Sequence, residues 1–217
     1  MDGTGHLRVT RDRYDAVADE YAQLFRDSLS DRPLDRAMIT AFAELVQASG
    51  MPQVLDIGCG PGCVTDFLSS LGLQAQGIDL SPAMIDLARG AYPDRTFALG
   101  DMTAVELPDG SLGGVFSRSS IIHTPPRQLP EVFREFHRLL APGGHLLLTF
   151  QATDDTSQLA WPFDHAVALA YRLSVGRVAD LLREAGFQEV AHQITAPEED
   201  ALRGFHYGHL LMRRPAS

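Results

Sequence analysis

A short apolar segment, Gln53-Val-Leu-Asp-Ile57, runs straight into Gly58-Cys-Gly-Pro-Gly62 and then into a helical pattern from Cys63. This order constrains the chain more than any other feature. Glycines at alternate positions permit a tight turn and let the backbone approach a ligand closely. A strand that feeds a helix through such a turn opens an α/β unit, and in sheets of this kind ligands sit outside the carboxyl ends of the strands.

The rest of the sequence supports that reading. Residues from about Arg11 to Leu29 carry Tyr14, Val17, Ala18, Tyr21, Leu24 and Phe25 at helical spacing, and a second helix is expected from Leu34 to Ala48, ended by Gly50 and Pro52. Strands are expected at Gln53–Ile57, Gln74–Asp79, Thr96–Leu99, Gly113–Ser117, His145–Gln151, Gln188–Thr195 and His206–Met212. Helices are expected at Cys63–Leu71, at Pro82–Ala91 behind the N-cap Ser81, at Leu129–Leu140 before Pro142-Gly143-Gly144, and at Val175–Ala185 with Gly186 at C′. Strands alternating with helices imply an α/β fold with a mostly parallel sheet and helices on both faces. The last two strands have no helix between them and should pair antiparallel. Residues 151–174, rich in Trp, Phe and His, are expected to form a lid or a wall of a substrate pocket.

The 217 residues suit a single domain, with an N-terminal helical cap over 1–50 and a core over 51–217. A formal net charge of -10 without a basic run argues against nucleic acid as a partner. No apolar run is long enough to span a membrane, and the first ten residues carry no secretory signal. The only cysteines, Cys59 and Cys63, lie in the glycine segment and read as reduced thiols of a cytoplasmic protein. No cluster suggests a metal site. The chain has neither Lys nor Asn, which excludes Schiff-base and P-loop lysine chemistry and fits codon bias in a GC-rich, bacterial genome.

The ligand is narrowed by charge. The spacing is G-x-G-x-G, with Cys63 following, so the G-x-G-x-x-G dinucleotide pattern is incomplete. Asp56, two residues before the first glycine, is awkward beside a pyrophosphate and suits a cation. Asp79 ends the second strand, where a carboxylate can accept from ribose hydroxyls; nicotinamide enzymes share that feature.

Val54-Leu-Asp-Ile-Gly-Cys-Gly-Pro-Gly62 resembles motif I of the class I S-adenosylmethionine-dependent methyltransferases. Gly77-Ile-Asp-Leu-Ser-Pro-Ala-Met-Ile-Asp-Leu-Ala88, Gly100-Asp-Met102 and Leu140-Ala-Pro-Gly-Gly-His-Leu-Leu-Leu148 are similar to their later motifs, and Tyr14-Asp-Ala-Val-Ala-Asp-Glu-Tyr21 resembles the cap helix of small-molecule members. The resemblance implies a Rossmann-like, seven-stranded sheet with its last strand antiparallel. It also implies S-adenosylmethionine as cofactor and S-adenosylhomocysteine as product. Gly58, Cys59 and Gly60 would pass beneath the methionine and ribose, and Asp56 would meet the amino-acid end. Asp79 would hold the ribose, with Leu80 and Met84 near the adenine. Asp101 would accept from the adenine amino group and Met102 would cover the ring. Ser117 and Arg118 would lie beside the methionine, and Tyr14 and Tyr21 would close over the cofactor.

His123, in Ser119-Ser-Ile-Ile-His-Thr-Pro-Pro126, is the candidate general base, with His165 as a second candidate. The relatives commonly carry aromatic residues just before the position of His123, where this chain has Arg118 and Ser119. The expected reaction is in-line methyl transfer to an O, N or C nucleophile of a small molecule, by a monomer or homodimer. A protein of the same fold that binds the cofactor without methylating, and a nicotinamide-dependent oxidoreductase, are the competing classes.

Overall fold

The computed structural model describes residues 5–25, 29–200 and 203–216. Its elements in chain order are α1 (Gly5–Ala16), α2 (Ala18–Phe25), α3 (Pro33–Ala48), β1 (Gln53–Ile57), α4 (Cys63–Ser70), β2 (Gln74–Asp79), α5 (Pro82–Ala91), β3 (Thr96–Leu99), β4 (Leu112–Arg118), α6 (Leu129–Leu139), β5 (Leu140–Thr153), β6 (Ala160–Asp164), β7 (Leu169–Ser174), α7 (Val175–Glu184), β8 (Gln188–Thr195) and β9 (His206–Arg213).

Strands β3, β2, β1, β4 and β5 lie side by side and all run parallel. β9 pairs antiparallel with β5, and β8 pairs antiparallel with β9. These seven are the expected Rossmann-like core. Two further strands extend the sheet: β7 pairs parallel with β5 at Ala152 and Thr153, and β6 pairs antiparallel with β7. Ala152 also pairs with His206 of β9, so β7 occupies the opposite edge of β5, the one that β4 has left after Thr149. Residues 160–174 thereby become a hairpin standing beyond the carboxyl end of β4.

Alternation along each strand assigns its two faces. In β1, Leu55 and Ile57 pack with α6 and α7, whereas Val54 packs with α3 and α4. In β5, Leu146, Leu148 and Phe150 take the first face and Leu147 the second. Helices therefore cover both faces, as expected. Asp56 shares the α3/α4 face with Val54 and is buried there.

Two boundaries differ from expectation by more than a residue or two in ways the packing explains. The first helix is split at Val17, whose N–H donates to Tyr14 O at 3.3 Å; the bend accompanies polar ties from Tyr14 and Asp15 to the core. Positions 26–28 of that expected helix lie outside the described residues, as do 201–202 of the polar connection before β9. β5 starts at Leu140, five residues early, because Pro142-Gly143-Gly144 is absorbed as an irregularity of the β4–β5 ladder and is fastened to the end of β9 by Gly143 N–H to Arg214 O (2.9 Å) and Arg214 N–H to Gly144 O (2.8 Å). Elsewhere the local signals held. Ser81 caps α5 by accepting from Met84 N–H at 3.1 Å, and Gly186 at φ 99° closes α7 with Phe187 N–H bonded to Leu182 O.

The start of β4 is packed against the chain leading into β1. A Cβ on Gly113 would fall 1.7 Å from the Met51 carbonyl oxygen, a backbone atom that cannot swing aside. Gly113→Ala should lower stability by about 3 kcal/mol, read from urea unfolding; an unchanged midpoint would contradict this account of the β1–β4 junction.

Candidate functional site

The floor of the site is the turn after β1. Gly58, Gly60 and Gly62 have φ of 75°, 52° and 87°, the left-handed region that other residues enter only at a cost. Gly58 and Cys59 N–H both donate to Ile78 O, which pins the turn to β2. A Cβ on Gly58 would lie 2.4 Å from Ser120 Cβ, so a side chain there is excluded. At Gly60 a Cβ would meet no protein atom within 4 Å, because this glycine faces open cavity.

Asp79, at the end of β2, accepts from Gly60 N–H through Oδ2 and from Ser81 N–H through Oδ1, each at 2.9 Å. Asp56 accepts from the Thr65 hydroxyl at 2.6 Å. Among the described residues neither carboxylate has an ion-pair partner. Burial, opposed by the Thr65 bond and reinforced by Asp79, pushes the Asp56 carboxyl up to about 7. Burial likewise raises the Asp79 carboxyl, against the backbone N–H groups that favour its ionised form. The Cys59 thiol is pushed well up by burial and by both aspartates, so it is a poor nucleophile.

The N-terminal helix roofs this floor. α1 buries no side chain of its own and is held by polar ties. Asp15 Oδ1 accepts from the Ser81 hydroxyl at 2.5 Å and from Ala83 N–H at 3.2 Å, so it sits on the N-terminus of α5. Arg13 donates to Val167 O at 3.1 Å. The Tyr14 hydroxyl lies 2.8 Å from His123 Nε2, and His123 Nδ1 lies 3.0 Å from Leu169 O. A carbonyl only accepts, so Nδ1 carries the proton and Nε2 accepts from Tyr14. Burial lowers the His123 imidazole from its ordinary value, consistent with this neutral tautomer. His123 thus joins the roof helix, the segment after β4 and the hairpin, with both nitrogens occupied. His165 stacks edge-on to it with ring centroids 5.1 Å apart, and burial, His123 and Arg203 push His165 down to about 4.

Two contiguous cavities, both open to solvent, occupy this space. Both are lined by Tyr14, Tyr21, Gly58, Gly60 and Arg118. The narrower runs under α1 and adds Asp79, Leu80, Met84, Met102 and His123. The wider opens toward the hairpin and β9 and takes in Asp56, Cys59, Gln151 and His165. The expected site residues are therefore brought together, with two exceptions. Ser117 is fully buried beneath the floor, hydrogen-bonded to the Ser120 hydroxyl. Asp101 lines neither cavity; its Oδ1 accepts from Thr103 N–H and hydroxyl, each at 2.9 Å.

Several contributors are not evident from sequence. Asp15 sits beside Tyr14, but its partner α5 lies some 66 residues away. Asp35 takes Arg118 (3.3 Å) and His209 (3.0 Å) on its two oxygens, buried between α3, β4 and β9. His209 hydrogen bonding and the Arg118 charge hold the Asp35 carboxyl below its usual range despite its burial. Ser119, at φ 52°, turns its hydroxyl onto the Tyr207 hydroxyl at 2.9 Å. A Ser in the left-handed region at the end of a central strand leaves no trace in the local sequence pattern.

Comparison with known proteins agrees with this geometry. Residues 54–144 match the family model described as a methyltransferase domain. The chain is 30% identical over 158 residues to phosphoethanolamine N-methyltransferase 3 of Arabidopsis thaliana, covering 69% of this chain and 31% of that one. It is 33% identical over 111 residues to malonyl-[acyl-carrier protein] O-methyltransferase of Serratia marcescens, covering 50% and 43% respectively. It thus spans less than half the length of these relatives. Among solved structures, the 1,6-didemethyltoxoflavin-N1-methyltransferase of Burkholderia thailandensis, with bound S-adenosylhomocysteine, superposes with a TM-score of 0.76 at 22% identity over 99% of this chain and 91% of that one. Residues 54–144 therefore form a methyltransferase domain, and the chain has the fold of solved S-adenosylmethionine-dependent methyltransferases.

Proposed function

We propose that the protein binds S-adenosylmethionine in the narrower cavity and transfers its methyl group to an O, N or C nucleophile of a small molecule held in the wider one. The observation that carries this reading is a pair of aspartates at the carboxyl ends of neighbouring strands, Asp56 fully buried and Asp79 half-buried, with no cationic side chain on either among the described residues. Burying uncompensated carboxylates costs stability, and a cationic ligand that also carries ribose hydroxyls removes that cost. The residues fit such a ligand. Asp79 keeps lone pairs for hydroxyls, Gly60 leaves room, and Leu80, Met84 and Met102 provide an apolar slot.

The bound cofactor supplies a methyl group already activated on a sulfonium. The chain must therefore orient the nucleophile and keep water out; in favourable cases orientation lowers such barriers by ~7–11 kcal/mol. Tyr14 and Tyr21 line both cavities at their junction. In this reading they wall the transfer point, and the 151–174 insertion serves as the lid. His123, committed on both nitrogens, is a positioning residue that fixes Tyr14. His165 lines the wider cavity; its Nδ1 accepts from Val167 N–H at 3.3 Å, so in the neutral ring Nε2 carries the hydrogen and serves as a hydrogen-bond donor to the acceptor substrate rather than as a base. With the imidazole pushed down to about 4 it is neutral at pH 7, which suits a nucleophile that needs orientation more than deprotonation.

Calorimetric titration of cofactor-free protein tests the assignment. S-adenosylmethionine and S-adenosylhomocysteine should bind, NADH should not, and Asp79→Ala should weaken adenosyl-ligand binding by about 100-fold; NADH binding with no adenosyl binding would overturn the proposal.

Asp56 gives a second test, through stability. The folded state holds the Asp56 proton up to about pH 7, whereas the unfolded carboxyl releases it near the ordinary value of 3.8. The favourable contribution of this group is therefore full below 3.8 and is lost as pH rises to about 7. Asp56→Asn, which keeps an acceptor for Thr65, should match wild type in urea unfolding at low pH and exceed it at pH 8 by on the order of a few kcal/mol. A variant less stable than wild type at pH 8 would show that the carboxylate serves the fold rather than a ligand.

A further inference from the structure

Besides Arg118, which pairs with Asp35, the wider cavity is lined by Arg32 and Arg203, which contact no carboxylate at ion-pair distance among the described residues. Arg203 lies with its guanidinium carbon 5.8 Å from the Phe163 ring centroid, and Arg32 lies 5.7 Å from that of Tyr207. Behind the wall, Arg172 lies 4.6 Å from the Phe205 ring and leaves a buried Nε without a hydrogen-bond partner. Among the described residues none of these three forms an ion pair. The chain as a whole has 28 acidic and 18 basic residues, so unpaired arginines are not what chance contact with acids would leave.

The acids that share the cavity are mostly engaged elsewhere. Asp35 is held by His209 and Arg118, Asp56 by Thr65, and Asp200 by the N–H groups of Arg203 and Phe205. Asp31 and Glu199 are exposed at the rim. The ring surfaces that line the cavity are flat partners: Phe205 meets Phe163 edge-on at 5.2 Å, and Tyr207 is fixed through its hydroxyl by Ser119 and Thr149. Gln151 lines the same cavity, and its buried Oε1 accepts from nothing. A buried acceptor without a donor is costly, and a ligand that brings a hydroxyl or amino hydrogen removes that cost.

We infer that the methyl acceptor is a flat aromatic acid. Arg203 and Arg32 hold its carboxylate, Phe205 and Tyr207 flank its ring, and its hydroxyl or amino group donates to Gln151. Guanidinium groups suit this task, because they pair with carboxylates through a planar fork while stacking on rings. The inference rests on the reading of the wider cavity as the acceptor site.

The test is calorimetric titration of the full chain, saturated with S-adenosylhomocysteine, with a panel of hydroxybenzoates and aminobenzoates and their neutral amides. At least one acid should bind about tenfold or more tighter than its own amide. In the double variant Arg32→Gln/Arg203→Gln that preference should vanish while S-adenosylhomocysteine affinity stays at the wild-type level, which also reports an intact fold. Failure of every acid to bind, equal binding of acid and amide, or a preference that survives in the variant would overturn the inference. The cofactor titration fails separately: absence of S-adenosylhomocysteine binding would sink the methyl-transfer reading, and an acid preference lost in the variant would still support the anion site.

Discussion

Two carboxylates, Asp56 fully buried and Asp79 half-buried, lie in one another's fields at the top of β1 and β2, and the site is built around that arrangement. Asp79 is kept in its position by the very backbone groups that the glycine turn exposes: Gly60 can donate to it only because its φ lies where other residues rarely go. Asp56 has the Thr65 hydroxyl, one neutral donor, against full burial. A hydroxyl offsets only part of the cost of burying a carboxylate, which is why its proton is held up to about pH 7. The apolar core supplies the stability that tolerates this pair. Both faces of the sheet are filled, with Phe116 and Leu147 under α3 and α4, and Leu146, Leu148 and Phe150 under α6 and α7.

The roof is made differently from the floor. Packing holds the sheet, but α1 is held by Asp15 on α5, Tyr14 on His123 and Arg13 on the hairpin, with none of its side chains buried. Polar ties of this kind exchange with water at small net cost, so the roof is the element whose opening would admit and release a ligand without disturbing the core. His123 is central to it because it connects three segments far apart in sequence: Tyr14 before the sheet begins, its own turn after β4, and Leu169 in the hairpin. That role explains a histidine at this position without requiring it to exchange protons with a substrate.

Much of this was legible in the sequence, for physical reasons that differ by residue. The strand–glycine–helix order marks the turn that floors the two cavities, and Ser81-Pro82 and Gly186 mark helix ends, because caps and left-handed turns are decided by neighbours a few residues away. Tyr14, Asp56, Asp79 and Met84 were legible through motif spacing. The split at Val17 and the early start of β5 were not, because both depend on partners distant in the chain: α5 in one case and Arg214 in the other. The Asp35–Arg118–His209 network spans up to 174 residues, and no local pattern announces it. The hairpin over 160–174 was legible only as an apolar and aromatic insertion. Its strand pairing is set by the edge of β5 that β4 leaves unused, a consequence of strand lengths rather than of composition.

The central claim is that Asp56 is a buried, uncompensated carboxyl kept for a cationic ligand, and its ionisation can be followed directly. Carbon-13 NMR of the Asp56 carboxyl across pH, in the cofactor-free protein and again with S-adenosylmethionine, is the most direct measurement. The account predicts a midpoint of about 7 without ligand and a fall of about one unit or more when the cation binds. A midpoint near the ordinary value of about 4 without ligand, or one that S-adenosylmethionine leaves unmoved, would contradict it.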